Sequence, residues 1–336
     1  MRHASRQGAA LTFLLLAAPA TAIDLVPGDL LVADQESGIV RIDGATYAQE
    51  LLPDPSGLLA AGAAGVALSA WPGNPGERLI WVASARTLRG FDRNGVQRAA
   101  CGFTDHLVFD VDAAPDGTTL YSVGGQLRRH RIRSEFGTIP CDTEILVADV
   151  EDEVGSRGIS LALARVAGEV TGAFISFSDG AATYDFDTGT LTPVPGIPTP
   201  EGDSVVMLAW SSALLFTQLS LDILACEPAS GVFAAFFGFT TITQGNDLRC
   251  PRGIAFDPDV RPEIFVNESQ TLAGGTNARL VRVTSNGVGG WNQQIVTSGG
   301  FLDGPANMMI VPEPSGGVAA ALAALAALGA TRRRPH

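Results

Sequence analysis

His106-Leu-Val-Phe-Asp-Val-Asp-Ala-Ala-Pro-Asp-Gly-Thr-Thr-Leu-Tyr-Ser-Val-Gly-Gly-Gln-Leu-Arg-Arg-His-Arg-Ile132 packs three strand-like runs into one short length of chain. The first run leads into Pro115-Asp116-Gly117, the second stops at the pair Gly124-Gly125, and the third ends the unit at Ile132. Asp-Gly supplies the backbone geometry of a tight hairpin, and the β-branched and aromatic residues on either side fit a pleated, half-buried surface. The layout returns in Arg252-Gly-Ile-Ala-Phe-Asp-Pro-Asp259, Glu263-Ile-Phe-Val-Asn267 and Ala278-Arg-Leu-Val-Arg-Val283. Unit starts near Val66, His106, Gly158, Asp203, Gly253 and Asp303 fall 40 to 52 residues apart. A 3.6-residue period never persists between them, so helix is a minor component.

The final unit is incomplete. Asp303-Gly-Pro-Ala-Asn-Met-Met-Ile-Val311 supplies one strand, and Gly28-Asp-Leu-Leu-Val-Ala-Asp34 with Gly38-Ile-Val-Arg-Ile-Asp43 supplies what is missing. A ring closed by strands from both ends of the chain leaves no free edge between first and last unit. Units of this length in a ring predict an all-β fold, a six-bladed β-propeller over residues 23–311. Seven blades or a β-sandwich stay open, because Asp142 to Gly168 fits no unit. The two N-terminal runs and Arg252 to Asp259 resemble the NHL and gluconolactonase-like propellers, a likeness that speaks to architecture rather than activity.

Composition narrows the function. The chain has 336 residues, 35 acidic against 22 basic, for a formal net charge of −13. Such a surface repels phosphate backbones and anionic lipid, which excludes nucleic acid as a partner. Every basic group is arginine, so Schiff-base and lysine-nucleophile chemistry is excluded as well. With 39 Gly, 20 Pro and 46% hydrophobic residues, the body suits many short strands and tight turns, not disorder.

Four cysteines, Cys101, Cys141, Cys226 and Cys250, predict two disulfides in an exported chain. Three pairings are open; Cys101 with Cys141 and Cys226 with Cys250 are nearest in the repeat scheme. A zinc site competes, but no C-x-x-C is present.

Catalytic side chains are scarce. Only His106 and His130 lie in the body. His130, in Gln126-Leu-Arg-Arg-His-Arg131, reads as part of a solvated blade face, while His106 starts a strand and either caps a loop or turns into the central tunnel. There is no Gly-x-Ser-x-Gly elbow and no His-Glu-x-x-His helix. Asp110, Asp112 and Asp116 have part of a calcium-loop spacing without its closing Glu, and read as turn residues. Trp71, Trp81, Trp210 and Trp291 read as core. The likeness to gluconolactonase-like propellers implies a divalent cation held on the axis by Glu, Asn and Asp. Asp34, Asn267 and Asp303 are the candidates for Ca2+, the one cofactor in view, but Glu36 and Glu50, the glutamates near the first blade, sit in loops.

The two ends of the chain carry addresses. Arg2 and Arg6, the apolar run Ala9 to Ala18 and the cleavage triplet Ala20-Thr21-Ala22 read as a signal peptide over residues 1–22, helical in its apolar run. Residues 312–336 start with Pro312-Glu313-Pro314, continue as an apolar run from Gly316 to Ala330, and finish with Arg332, Arg333 and Arg334. As a helix, that run spans about 22 Å against a hydrocarbon core of about 30 Å, short for a permanent anchor. In order and spacing it resembles the PEP-CTERM sorting signal processed by exosortases of Gram-negative bacteria that make extracellular polysaccharide. The resemblance implies an exported cell-surface or matrix protein whose partners are exosortase and the secretory machinery, then exopolysaccharide or other surface proteins. It would touch a membrane only through the C-terminal segment, before processing. A binding or structural propeller is the expected function; a metal-dependent lactonase-like hydrolase on the same scaffold is the alternative.

Overall fold

The computed structural model describes residues 22–312 apart from 60–61, 72–73, 75, 104–105, 134–140, 156, 167–168, 178–179, 195–203, 211–213, 221–230, 236–238, 249, 258–259, 270–277 and 289. For 166, 204–210, 214–220, 231–235, 239–240 and 257 the backbone alone is described. The signal and sorting helices expected at the two ends lie outside these residues, save Ala22 and Pro312.

The chain opens with β1 (Leu30–Asp34), β2 (Gly38–Ile42) and β3 (Gln49–Leu51), then β4 (Ala63–Ala70), β5 (Arg78–Ser84), β6 (Thr87–Phe91) and β7 (Gln97–Gly102). Next come β8 (Val108–Ala113), β9 (Thr119–Gly124), β10 (Leu127–Ile132), β11 (Cys141–Val147) and the one-turn helix α1 (Val150–Val154). β12 (Ser160–Val166), β13 (Glu169–Phe177), β14 (Gly180–Asp185) and β15 (Thr190–Pro193) precede β16 (Ser204–Trp210), β17 (Leu214–Ser220), β18 (Gly231–Ala235) and β19 (Phe239–Gln244). The chain finishes with β20 (Pro251–Asp257), β21 (Arg261–Glu268), β22 (Arg279–Ser285), β23 (Trp291–Ser298) and β24 (Pro305–Ile310).

Among the described residues these strands form six antiparallel four-stranded sheets, five of them consecutive in sequence and one ordered β24-β1-β2-β3. Side chains are described for five of the sheets; the sheet β16–β19 is described mainly by its strand pairing. The inner strands touch in the order β24, β4, β8, β12, β16, β20 and back to β24. The architecture is a β-propeller. The awkward stretch after Asp142 resolves into an outer strand, β11, then α1 as a connector, then the inner strand β12.

The core lies between blades rather than within one sandwich. In β1, Leu30 and Val32 pack with Ala255, Phe265 and Leu280 of the preceding blade, while Leu31 and Ala33 pack with Val66, Ile80 and Phe91 of the following one. Successive side chains leave opposite faces of a strand, so a sheet buried on both faces needs an unbroken apolar run. That is why Leu-Leu-Val-Ala does not alternate with polar residues. Outer strands meet water: β11 is exposed over most of its length.

Closure rests on pairing and on one carboxylate. β1 pairs antiparallel with β24, Leu30 opposite Ile310 and Asp34 opposite Pro305. Asp34, fully buried, takes backbone N–H groups of Glu36 (3.0 Å) and Ser37 (2.9 Å) on Oδ1 and of Asp303 and Gly304 (both 3.0 Å) on Oδ2. One side chain thus shapes the first hairpin and ties in the last strand. Ile23 and Val311, both fully buried, join the same cluster. The Cys101–Cys141 disulfide links outer strands β7 and β11 of adjacent blades, and Cys250 is also disulfide-bonded; Cys226 lies outside the described residues.

Asp34→Ala strips four backbone N–H groups of their acceptor and is expected to cost about 3 kcal/mol, read as a lower urea midpoint. A change within about 0.5 kcal/mol, the scale of an ordinary surface substitution, would refute the closing role. Replacing Cys101 and Cys141 by Ser opens a loop spanning 40 residues and is expected to lose about 4 kcal/mol on the chain-entropy account.

Candidate functional site: a pocket at one end of the inner strands

Four inner strands, β4, β8, β20 and β24, carry a conspicuous residue at their third position: Gly65, Asp110, Gly253 and Asn307. The ladder is bulged at or next to this place in each of these blades, and a bulge re-aims the side chain beside it. Asn307 Oδ1 accepts Met308 N–H at 2.8 Å, and Asp110 Oδ1 accepts Val111 N–H at 2.8 Å, the same local geometry in two blades. Gly65 stands in the blade between them. A Cβ there would come within 2.5 Å of Asp110 Oδ1, so a side chain at this position would displace Asp110, whose carboxylate also takes a hydrogen bond from the Asn307 side chain.

Asp110 also stitches its blade to the next one, Oδ2 accepting Leu161 N–H at 2.8 Å and Ser160 Oγ–H at 3.1 Å. Asp112, one pleat on, repeats the device with Leu163 N–H at 3.0 Å and pairs with Arg165. Burial raises Asp110 from 3.8 to about 7 against the pull of its hydrogen-bond donors, and Asp112 nearby pushes the same way as burial. Burial therefore holds its proton far more tightly than an exposed carboxyl would.

Beyond this polar level the inner strands line a cavity of about 440 Å3. Its walls include Val66, Leu68, Val111, Leu161, Ile254 and Met309, from five blades, and Asn307 is its polar contact with the level below. Glu77, Arg78, Asp112, Asp116 and Arg165 are the charged residues around it. An apolar concavity with a few convergent polar groups is what a small-molecule site requires. The arrangement can hold and desolvate a ligand.

The residues singled out in the sequence fall in several places. Asp34 cannot serve calcium as it stands, since both its oxygens are taken by backbone N–H groups. Asn267, fully buried, donates to the Ala306 carbonyl at 2.9 Å and leaves Oδ1 without a partner among the described residues. Asp303 reaches Asp34 through its backbone N–H, not its carboxylate. The three share the seam between the last and first blades, yet the fold uses two of them as fasteners. Among the described residues no group of three or more His, Cys, Asp and Glu is placed to hold a metal. Asp110, Asp112 and Asp116 separate: the first two clamp blades, and Asp116 takes Thr118 and Thr119 N–H in its turn.

His130 corrects the reading of a solvated face. It is fully buried, with Ser122 Oγ at 2.8 Å from Nε2 and Thr143 Oγ1 at 3.0 Å from Nδ1. Burial, then the Arg128 charge, pushes it down to about 3. The alternation of β10 turns His130 inward between half-buried Arg129 and exposed Arg131. His106 lines a second cavity of about 330 Å3 with Arg86, Asp149, Glu151 and Arg157, at the other end of β8 from the channel pocket. Trp81 is core, hydrogen-bonded to Ser69 Oγ at 2.8 Å, whereas Trp71 is half-buried with Arg98 over its ring. The Trp210 side chain is not among those described. Ala20, Glu313, Pro314, Arg332, Arg333 and Arg334 lie outside the described residues.

No family model matches the chain, and no curated protein matches it in sequence. Among solved structures it is similar to the β-propeller domain of Cps50 (Swd1) from Myceliophteria thermophila, with 10% identity, TM-score 0.52, and 89% of this chain and 92% of that chain covered. That likeness shows the fold alone. Hydrazine synthase of Kuenenia stuttgartiensis matches at 11% identity and TM-score 0.48, covering 82% of this chain and 80% of that one. A protein of unknown function from Bacteroides thetaiotaomicron matches at 11% and 0.49, covering 83% and 68%.

Two buried groups set opposite pH dependences. Asp110 binds its proton more tightly folded than unfolded, so its contribution is full below about pH 4 and lost as pH rises to about 7, at most about 4 kcal/mol. His130 binds its proton less tightly folded, so its contribution is full above pH 6.5 and lost as pH falls toward 3, at most about 5 kcal/mol. Denaturation of Asp110→Asn is expected to show stability rising from pH 4 to 7, and that of His130→Gln to show it falling. Parallel profiles for the two variants would refute the assignment.

Proposed function

We propose that this chain is an exported surface or matrix protein of a Gram-negative envelope, a six-bladed propeller that works as a binding module, with the pocket at the ends of the inner strands as its binding site. The blade number is supported by the pairing of β16 to β19 as a further four-stranded sheet. The cavity of about 440 Å3, whose lining mixes apolar side chains with polar and charged ones, carries the binding reading. Sorting is carried by the sequence: a signal peptide ahead of Ile23 and a Pro-Glu-Pro, apolar and arginine series after Val311. The fold is compatible with cuts outside both points, because Ile23 and Val311 are each held in the core. Before processing, the tail would hold the protein at the membrane for exosortase; afterwards it would be free to meet exopolysaccharide or other surface components.

Replacing Glu313 and Pro314 by Ala, which leaves buried Val311 intact, is expected to give an uncleaved, membrane-held precursor in host fractionation. Native protein recovered with His336 attached would sink the sorting reading. For the pocket, the mature protein is expected to bind the neutral probe N-phenyl-1-naphthylamine, and Met309→Trp, which fills the cavity, to weaken it about tenfold, roughly 1.4 kcal/mol. Equal binding by both proteins would refute this site.

A further inference from the structure

The fold itself occupies nearly all the charged groups around the channel pocket. Arg78 Nη1 donates to the Pro312 carbonyl at 3.0 Å. Arg165 Nη2 reaches Asp112 Oδ1 at 3.3 Å and the Ala113 carbonyl at 2.9 Å, and the other Asp112 oxygen takes Leu163 N–H. Asp116 closes its own turn with both oxygens, accepting Thr118 and Thr119 N–H on one and the Thr119 hydroxyl on the other. The uncharged polar groups are engaged in the same way. Ser69 Oγ accepts Trp81 Nε1–H and donates to the Ala70 carbonyl, and Asn307 joins Met308 N–H to the Asp110 carboxylate. Glu77 is the exception. It stands half-buried beside β5 at the pocket mouth, and its carboxylate has no hydrogen bond or ion pair among the described residues.

This division decides the chemistry of an occupant. A sugar would press several hydroxyls against walls such as Leu68, Leu163 and Ile310, and each hydroxyl buried without a partner costs free energy. An anion would meet Glu77 while both arginines of the lining are already held. An apolar body suits the walls, and one positive head left at the mouth would pair with Glu77, where partial burial strengthens the attraction. We propose that the pocket takes amphiphilic cations, with an apolar body seated among the inner strands and a single amine or quaternary ammonium paired with Glu77. This rests on the reading of the pocket as a ligand site and adds the class of ligand.

The test measures displacement of N-phenyl-1-naphthylamine from the mature protein by probes that share one chain and differ in the head: decyltrimethylammonium, decanol and decyl sulfate, each below its micellar concentration. Decyltrimethylammonium is expected to bind about fivefold more tightly than decanol, the scale of one partly exposed ion pair, and decyl sulfate more weakly than decanol. In Glu77→Gln the advantage of the cation over decanol is expected to disappear. A cation no tighter than decanol would overturn the proposal and leave the pocket reading standing. An advantage that Glu77→Gln retains would belong to the acidic surface at large and would overturn it too. Displacement by none of the probes would remove the pocket reading and the proposal together.

Discussion

The antiparallel pairing of β1 with β24 is the constraint on which the rest of the molecule depends. Each blade whose side chains are described is apolar on both faces and needs neighbours on either side, and a ring with one seam open would present two such faces to water. Leu30 and Val32 face the preceding blade while Leu31 and Ala33 face the following one. Loss of the seam would therefore unpack two clusters at once. Asp34 fastens the seam where the ladder shifts register, taking N–H groups that the bulge leaves outside it. A carboxylate so placed is held by geometry, which is why a residue suited to metal binding by type is structural by position.

The same logic runs around the inner strands. Asp110 and Asp112 reach backbone N–H groups of β12, so adjacent inner strands are joined by side-chain hydrogen bonds where no ladder joins them. Gly65 keeps space for Asp110, and Gly253 does the equivalent beside β24, since a Cβ there would meet the Ala306 carbonyl at 2.3 Å. Small and polar residues alternate around this level, and the apolar pocket lies beyond it. Its polar floor is engaged with the fold already, through Asp110 and Met308 N–H, so the walls dominate what a ligand would meet.

Much of this architecture was legible. The repeat starts Val66, His106, Gly158, Gly253 and Asp303 each lie within three residues of an inner strand, because the strand, turn, strand rhythm is written in Asp-Gly and Gly-Gly pairs. The joining of the two ends was legible because a single strand of a unit stands at the C-terminal end and the remainder at the N-terminal end. The Cys101–Cys141 pairing followed from repeat distance. The site was less legible. Asp110 looked like a turn residue because Asp112 and Asp116 stand near it, and only the bulge separates a blade clamp from a turn. A usable signal was present: a polar residue or glycine at the third place of each of four apolar strands. His130 was misplaced because arginines flank it, and alternation turns the middle residue the other way.

Acidity is the last feature to place. Asp43, Asp92 and Asp185 each take backbone N–H groups of the turn between third and fourth strands, and Asn286 does so in another blade. Asp116 does the same between first and second strands. A carboxylate that accepts two or three N–H groups stabilises a tight turn, and a fold made of hairpins needs many. Part of the formal charge of −13 thus comes from how the turns are built. It says little about cations and leaves the apolar cavity as the surface that turn chemistry does not explain.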